Sequence, residues 1–169
     1  MIRIKLANED HVQGIISVCR AGYRDVSKGI LSDELIEEKC DEYYNKERIS
    51  KEVTQFSHSW GGYYVALEGD IVVGAGGGGM TTDQTGWLYV LYLNPARRNE
   101  GIGTKILEAV TEQQKRLGAK EQYVTVQKGN MKGIPFYEAR DFVFQEEIYS
   151  KNIEKEPGAI VLKYRRDLV

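Results

Sequence analysis

Leu91-Tyr92-Leu93-Asn94-Pro95-Ala96-Arg97-Arg98-Asn99-Glu100-Gly101-Ile102-Gly103-Thr104 is the stretch that decides the fold. Its apolar start, Leu91-Tyr92-Leu93, closes a strand that begins at Trp87. Asn94-Pro95 ends that strand, because proline cannot donate to a sheet ladder. From Gly101 onward the period changes: Ile102, Ile106, Leu107, Val110 and Leu117 recur at helical spacing, and Gly118 reads as the residue after the helix. The stretch is therefore strand, loop, helix. Two glycines at the joint let the backbone approach a ligand closely. The first-turn N–H groups of the helix lack intrahelical partners and carry the positive end of its dipole, which suits a phosphate, and Arg98 can add a charge-assisted contact.

The sequence around this joint predicts a simple order of elements. Ile2-Arg3-Ile4-Lys5-Leu6 alternates as a half-buried strand. Asn8 can cap a helix whose inner face is Val12, Ile15, Ile16 and Cys19, with Gly22 expected to end it and a loop from Tyr23 to Leu31. Ser32 caps a second helix with Leu35, Ile36 and Cys40 inward, and a charged helical piece follows around Asn45 to Phe56. Strands then run over Tyr63–Leu67, from Ile71 through the glycines to Met80, and over Trp87–Leu93. The last of these is apolar on both faces, so it belongs in the middle of a sheet. After the Gly101 helix come a strand at Tyr123–Val126, a short helix over Asn130–Ala139, and strands at Phe142–Ile148 and Ala159–Tyr164 around a polar turn. The order β-α-α-β-β-β-α-β-α-β-β predicts one α/β domain with a mixed sheet over residues 1–169.

Composition narrows the function. The 169 residues carry 23 Lys and Arg against 25 Asp and Glu, a formal charge of −2. That argues against a general nucleic-acid or polybasic membrane binder. Cys19 and Cys40 are too few for a disulfide framework or a zinc site, and His11 and His58 are far apart, so no metal is expected. No apolar run approaches the length of a membrane span, and the expected location is cytoplasmic.

Glycine is the unusual residue: of eighteen, eleven fall between Gly61 and Gly103. Gly61, Gly62, Gly69 and Gly86 read as turn residues. Gly74-Ala75-Gly76-Gly77-Gly78-Gly79 formally matches a dinucleotide fingerprint, but a turn and another strand follow it where a helix is required. Gly101-Ile102-Gly103-Thr104-Lys105 lacks the spacing of a P-loop. The run from Gly74 is read as a strand with minimal side chains, where a bulge forms or an acceptor pocket gains space.

Two segments together resemble a known family. The opening stretch is similar to the acetyl-CoA-binding motif of the GNAT N-acetyltransferase superfamily, a strand followed by (Q/R)-x-x-G-x-(G/A) and a helix. Asn130-Met131-Lys132-Gly133-Ile134-Pro135-Phe136-Tyr137-Glu138-Ala139-Arg140-Asp141-Phe142 resembles that family's N-x-x-A-x-x-F-Y-x-x-x-G-F segment. The resemblance implies a mostly antiparallel central sheet flanked by helices. It also implies acetyl-CoA as acyl donor and a primary amine of a small molecule, peptide or protein as acceptor, with a homodimer compatible. By resemblance, Leu91, Tyr92, Leu93, Arg98, Asn99, Glu100, Gly101, Ile102, Gly103, Thr104 and Asn130 bind the donor. Leu91 and Leu93 line the pantetheine, and a backbone N–H near Leu93 polarises the thioester carbonyl. Tyr137 is placed to protonate the leaving thiolate; by periodicity alone it reads as a core tyrosine beside Phe136. Asn130 reads equally as a helix cap.

The departures matter too. Asp141 stands where the family has glycine, a position Asp can fill in left-handed backbone. Trp87–Leu91 offers no carboxylate where the family often has a glutamate acting through water, which leaves a non-catalytic CoA-binding sensor module as the alternative. Tyr23, Trp87 and Tyr89 are candidate walls of an acceptor site, and the segment Tyr23–Leu31 resembles a loop beside it.

Overall fold

The computed structural model describes residues 1–149 and 160–169. In chain order the elements are β1 (Ile2–Leu6), α1 (Val12–Ser27), α2 (Asp33–Tyr43), α3 (Lys46–Glu52), β2 (Tyr63–Glu68), β3 (Ile71–Thr82), β4 (Thr85–Leu93), α4 (Ile102–Arg116), β5 (Glu121–Gln127), α5 (Gly133–Glu138), β6 (Val143–Tyr149) and β7 (Ile160–Asp167). They build one seven-stranded sheet in the order β1-β2-β3-β4-β5-β7-β6. Among the described residues, only β4 and β5 run parallel; the other neighbours are antiparallel. The charged piece after α2 condenses into the two-turn α3, capped by Asn45, whose side chain accepts from Arg48 N at 2.8 Å. The polar turn expected between the last two strands, with Ala159, lies outside the described residues.

The helix α1 differs from expectation. It runs through Gly22 to Ser27, so Tyr23 to Ser27 is helical and the loop starts only at Lys28. Gly22 serves packing: a Cβ there would stand 2.7 Å from Tyr92 Cβ, so the missing side chain lets β4 lie directly against α1.

The glycine run of β3 serves the same purpose on both faces of the sheet. A Cβ at Gly74 or Gly76 would meet Ile106 of α4 at 2.8 Å, and one at Gly78 would lie 1.9 Å from the Trp87 carbonyl oxygen. On the opposite face, a Cβ at Gly77 would meet Gly62 O at 2.5 Å and one at Gly79 would meet Ser59 O at 2.0 Å. Strand alternation sends even and odd positions to opposite sides. So α4 and the loop around Ser57–Gly62 press on β3 from its two faces. These glycines do not open an acceptor pocket, and Gly86 is no turn residue either. It lies buried inside β4 and makes room for the Gln114 amide, to whose Oε1 a Cβ would come within 2.1 Å.

That amide anchors a buried polar network. Gln114 Nε2 donates to Trp87 O at 2.8 Å, Gln122 Nε2 donates to Gln114 Oε1 at 3.0 Å, and Arg166 Nε donates to Gln122 Oε1 at 3.0 Å. Both glutamines are fully buried, and their partners keep that burial from being costly.

The β4–β5 pair shapes the site. The two strands pair only from Thr85 with Glu121 to Leu88 with Val124. On the other side of β4, Gly77 opposes Val90 while Gly78 opposes Leu88, leaving Tyr89 as an extra, bulged residue. A bulge bends its strand and adds twist. Beyond it, β4 leaves β5, which stays paired with β7 as far as Gln127 and Val161. A wedge opens between two parallel neighbours in the middle of the sheet.

Candidate active site

The loop from β4 to α4 is held by its own side chains. Asn94 Oδ1 accepts from Ala96 N at 3.0 Å as Pro95 starts a short turn. Arg97 donates to both oxygens of Glu68 (2.9 and 2.8 Å) and to both oxygens of Glu100 (2.7 and 2.8 Å). Asn99 and Gly101 then take left-handed backbone, φ 67° and 77°, which turns the chain into α4. The first intrahelical bond runs from Lys105 N to Gly101 O, so the N–H groups of Ile102, Gly103 and Thr104 precede the helix ladder.

The cleft at this helix end has a volume of about 510 Å³, and its charged lining is all cationic: Arg97, Arg98, Lys132 and Arg140. Arg98 Nη2 and Lys132 Nζ both donate to Asp25 Oδ2 of α1, at 2.9 and 3.0 Å. Partial burial pulls the Asp25 carboxyl upward, but the two hydrogen-bonded cations outweigh it and hold it below the ordinary aspartate value. Arg140 stacks on Phe136, its guanidinium carbon 3.8 Å from the ring centroid, and it donates to the Thr104 hydroxyl and to Phe136 O. The Nε atoms of Arg98 and Arg140 are both buried without a partner. Four cations, two unpartnered guanidinium nitrogens and a helix N-terminus fit a phosphorylated polyanion.

Adjoining cavities share walls in succession from this cleft. A narrow channel of about 100 Å³ shares Leu93, Arg98, Gly103, Lys132 and Phe136 with the cationic cleft. It shares Leu91, Tyr92, Asn130 and Tyr137 with a larger cavity of about 320 Å³ in the β4–β5 wedge. Tyr137 therefore borders both. Its ring is buried between Phe136 and Phe142, edge-on at 5.1 and 5.4 Å. Burial pushes its phenol pKa up, against the opposing charge of Arg140, so it holds its proton at neutral pH. Asn130 Oδ1 accepts from Gly133 N at 2.8 Å and caps the turn into α5.

The family model for acetyltransferases of the GNAT family matches residues 31–142, about two thirds of the chain. The chain belongs to the GNAT acetyltransferase family. Solved structures agree in fold. A PaiA N-acetyltransferase of Thermoplasma acidophilum, in complex with coenzyme A, is 21% identical, with 99% of each chain covered and a TM-score of 0.85. Ard1 of Thermoplasma volcanium is 15% identical over 99% of this chain and 98% of its own, with a TM-score of 0.71. The ribosomal-protein-S18-alanine N-acetyltransferase of Escherichia coli is 10% identical, covers 99% and 94%, and has a TM-score of 0.70. No curated protein matches the chain significantly.

The GNAT fold brings most of the expected residues to one connected cleft. Leu91, Tyr92, Leu93, Arg98, Asn99, Gly101, Gly103, Thr104, Asn130 and Tyr137 all line it. Two residues differ in how they are used. Glu100 turns onto Arg97 and does not line the cleft. Ile102 belongs to the buried cluster that holds Val73 and Ile106, while it also borders the cleft. Lys132 and Arg140, not among the residues expected at the site, also line the cleft, although both lie inside the second quoted motif. Their signal was positive charge at positions where the family pattern leaves the residue free. Asp25 was legible only as part of a loop, and the structure places it on the last turn of α1.

Proposed function

We propose that this chain transfers an acetyl group from acetyl-CoA to a primary amine. One observation supports this above the rest: cavities that share walls follow one another from the cationic end of α4, past the β4–β5 wedge and Tyr137, to an aromatic chamber. Arg98, Lys132, Arg140 and the first-turn N–H groups of α4 hold the donor's phosphates, and Leu91 and Leu93 flank its pantetheine. Asn130 uses its Oδ1 on the α5 cap and keeps its amide N–H groups for the donor. The phenol of Tyr137 delivers a proton to the departing thiolate, which a buried and protonated tyrosine is suited to do.

The decisive experiment measures thiol release from acetyl-CoA across a panel of primary amines. Amine-dependent release is expected. Binding of acetyl-CoA with no release for any amine would favour the sensor reading instead, which draws on the lack of a carboxylate in Trp87–Leu91. No binding at millimolar acetyl-CoA would exclude both.

A further inference from the structure

The wall that α2 gives to the wedge cavity holds an anomaly. Ile36 and Cys40 of α2 are buried in the fold. The neighbouring stripe Leu35, Lys39 and Tyr43, at a helical repeat, lines the cavity. The centre of that stripe is a lysine. Among the described residues lining the cavity, Lys39 is the only charged one, and no carboxylate stands there to pair with it. The helix is fixed from behind. Arg24 of α1 donates to both oxygens of Glu37 at 2.8 and 2.7 Å, and Arg20 donates to Asp41 at 3.0 Å and to the Tyr44 carbonyl at 2.9 Å. The backbone that carries Lys39 is therefore anchored beside the cavity.

The ammonium itself is lightly held. Lys39 Nζ lies 3.7 Å from Glu42 Oε2, one helical turn on, and 5.6 Å from the centroid of the Tyr43 ring. A part-exposed pair of this kind contributes little, and the flexible lysine stem turns readily about its bonds. Leaving Glu42 gives the amine access to the cavity it borders, whose other walls include Leu91 and Tyr137.

We propose that Lys39 is itself an acetyl acceptor, modified within its own chain by the donor bound beside Tyr137. This assignment rests on the transfer reaction proposed above and adds a modification site on the protein. An amine tethered at the wall needs no separate binding step, and a tethered reactant gains in effective concentration. Lys39 first sheds one proton to solvent, since an ammonium has no lone pair. Its Nζ attacks the thioester carbonyl carbon; the C–N bond forms and the C–S bond breaks. The sulfur leaves with the phenol proton of Tyr137, and the second amine proton, released as the amide forms, restores that phenol. The products are Nε-acetyl-lysine, the CoA thiol and one proton in solution. Acetylation removes the charge from the cavity wall and ends the pairing with Glu42.

The test is incubation of the intact protein with acetyl-CoA and no added amine, followed by mass spectrometry of its peptides. Lys39 is expected to gain an acetyl group at least about tenfold faster than any other lysine of the chain, at a first-order rate independent of protein concentration. Lys39→Arg, which keeps the charge but is no nucleophile, is expected to lose this fast phase and leave the slow acetylation of the other lysines unchanged. Excess free CoA is expected to suppress the fast phase by competing for the cleft. Lys39 reacting no faster than the other lysines would overturn the assignment, as would a fast phase that persists under saturating CoA or accelerates with protein concentration. Thiol release across the amine panel beside an unmodified Lys39 would overturn the assignment and leave the transfer reaction standing. Rapid acetylation of Lys39 with no turnover of any added amine would support the site and confine the transfer to the chain itself.

Discussion

Tyr137 is flanked edge-on by Phe136 and Phe142 and lines the wedge cavity. Removing only its hydroxyl tests its chemistry. If Tyr137 is the proton donor proposed above, Tyr137→Phe is expected to lower kcat about 10²-fold or more with little change in acetyl-CoA affinity. Steady-state kinetics set beside a direct binding titration check this, and unchanged turnover with a good amine would remove Tyr137 from the reaction. Arg98 makes a different prediction. Arg98→Ala is expected to weaken acetyl-CoA binding by about tenfold, the typical weight of a charge-assisted contact. Asp25→Asn, which frees Arg98 and Lys132 from their shared carboxylate, is expected not to weaken it. Binding isotherms of the two variants at equal salt compare them. At this scale the sequence was legible where the backbone makes the demand. Asp141 does adopt φ 70°, the left-handed turn expected of it. It was illegible where a distant partner decides: Glu100 is taken up by Arg97, which also grips Glu68, 29 residues earlier in the chain.

Elements were read well where their period was strong, as in α4 and β4. Less legible was how closely they pack. Gly22 carries a helix-ending signal by composition, yet α1 continues through it, and the missing side chain leaves the space that Tyr92 occupies. The glycine run of β3 looks like a ligand loop in one dimension, but in three it is squeezed between α4 and the Ser57–Gly62 loop. Gly78→Ala is therefore expected to destabilise the fold by about 2–3 kcal/mol or more, since its Cβ would collide with backbone, which cannot rotate away. Urea unfolding measures this, and a cost below about 0.5 kcal/mol would contradict the packing described. At Gly103 the neighbours are softer: a Cβ would stand 3.3 Å from the Phe136 ring. Gly103→Val is accordingly expected to fold but to lose most of its acetyl-CoA affinity, by projecting bulk into the cleft beside the first turn of α4. A normal dissociation constant in a well-folded variant would refute the phosphate assignment for this turn.

For the whole molecule, the cationic cleft joins parts that are otherwise far apart in sequence: α1 through Asp25, the β4–α4 loop through Arg98, and the start of α5 through Lys132. A ligand seated there binds the native state alone. Acetyl-CoA at a hundred times its dissociation constant is thus expected to add about 2.7 kcal/mol of stability and raise Tm by roughly 5–10 °C for a domain of this size. A melting curve with and without donor reads this directly, and no shift at millimolar donor would exclude the cleft as its site. By itself the sequence determined the element order, the central place of β4, the phosphate-suited joint at Gly101–Thr104 and the family pattern around Tyr137. All of these are written in local periodicity and in backbone rules that act over a few residues. Only the tertiary structure decided that the glycines of β3 serve packing. It alone showed that β4 bulges at Tyr89 and parts from β5. Those depend on which atoms meet across the fold, and contacts between residues tens of positions apart leave no period in the chain for a reader to find.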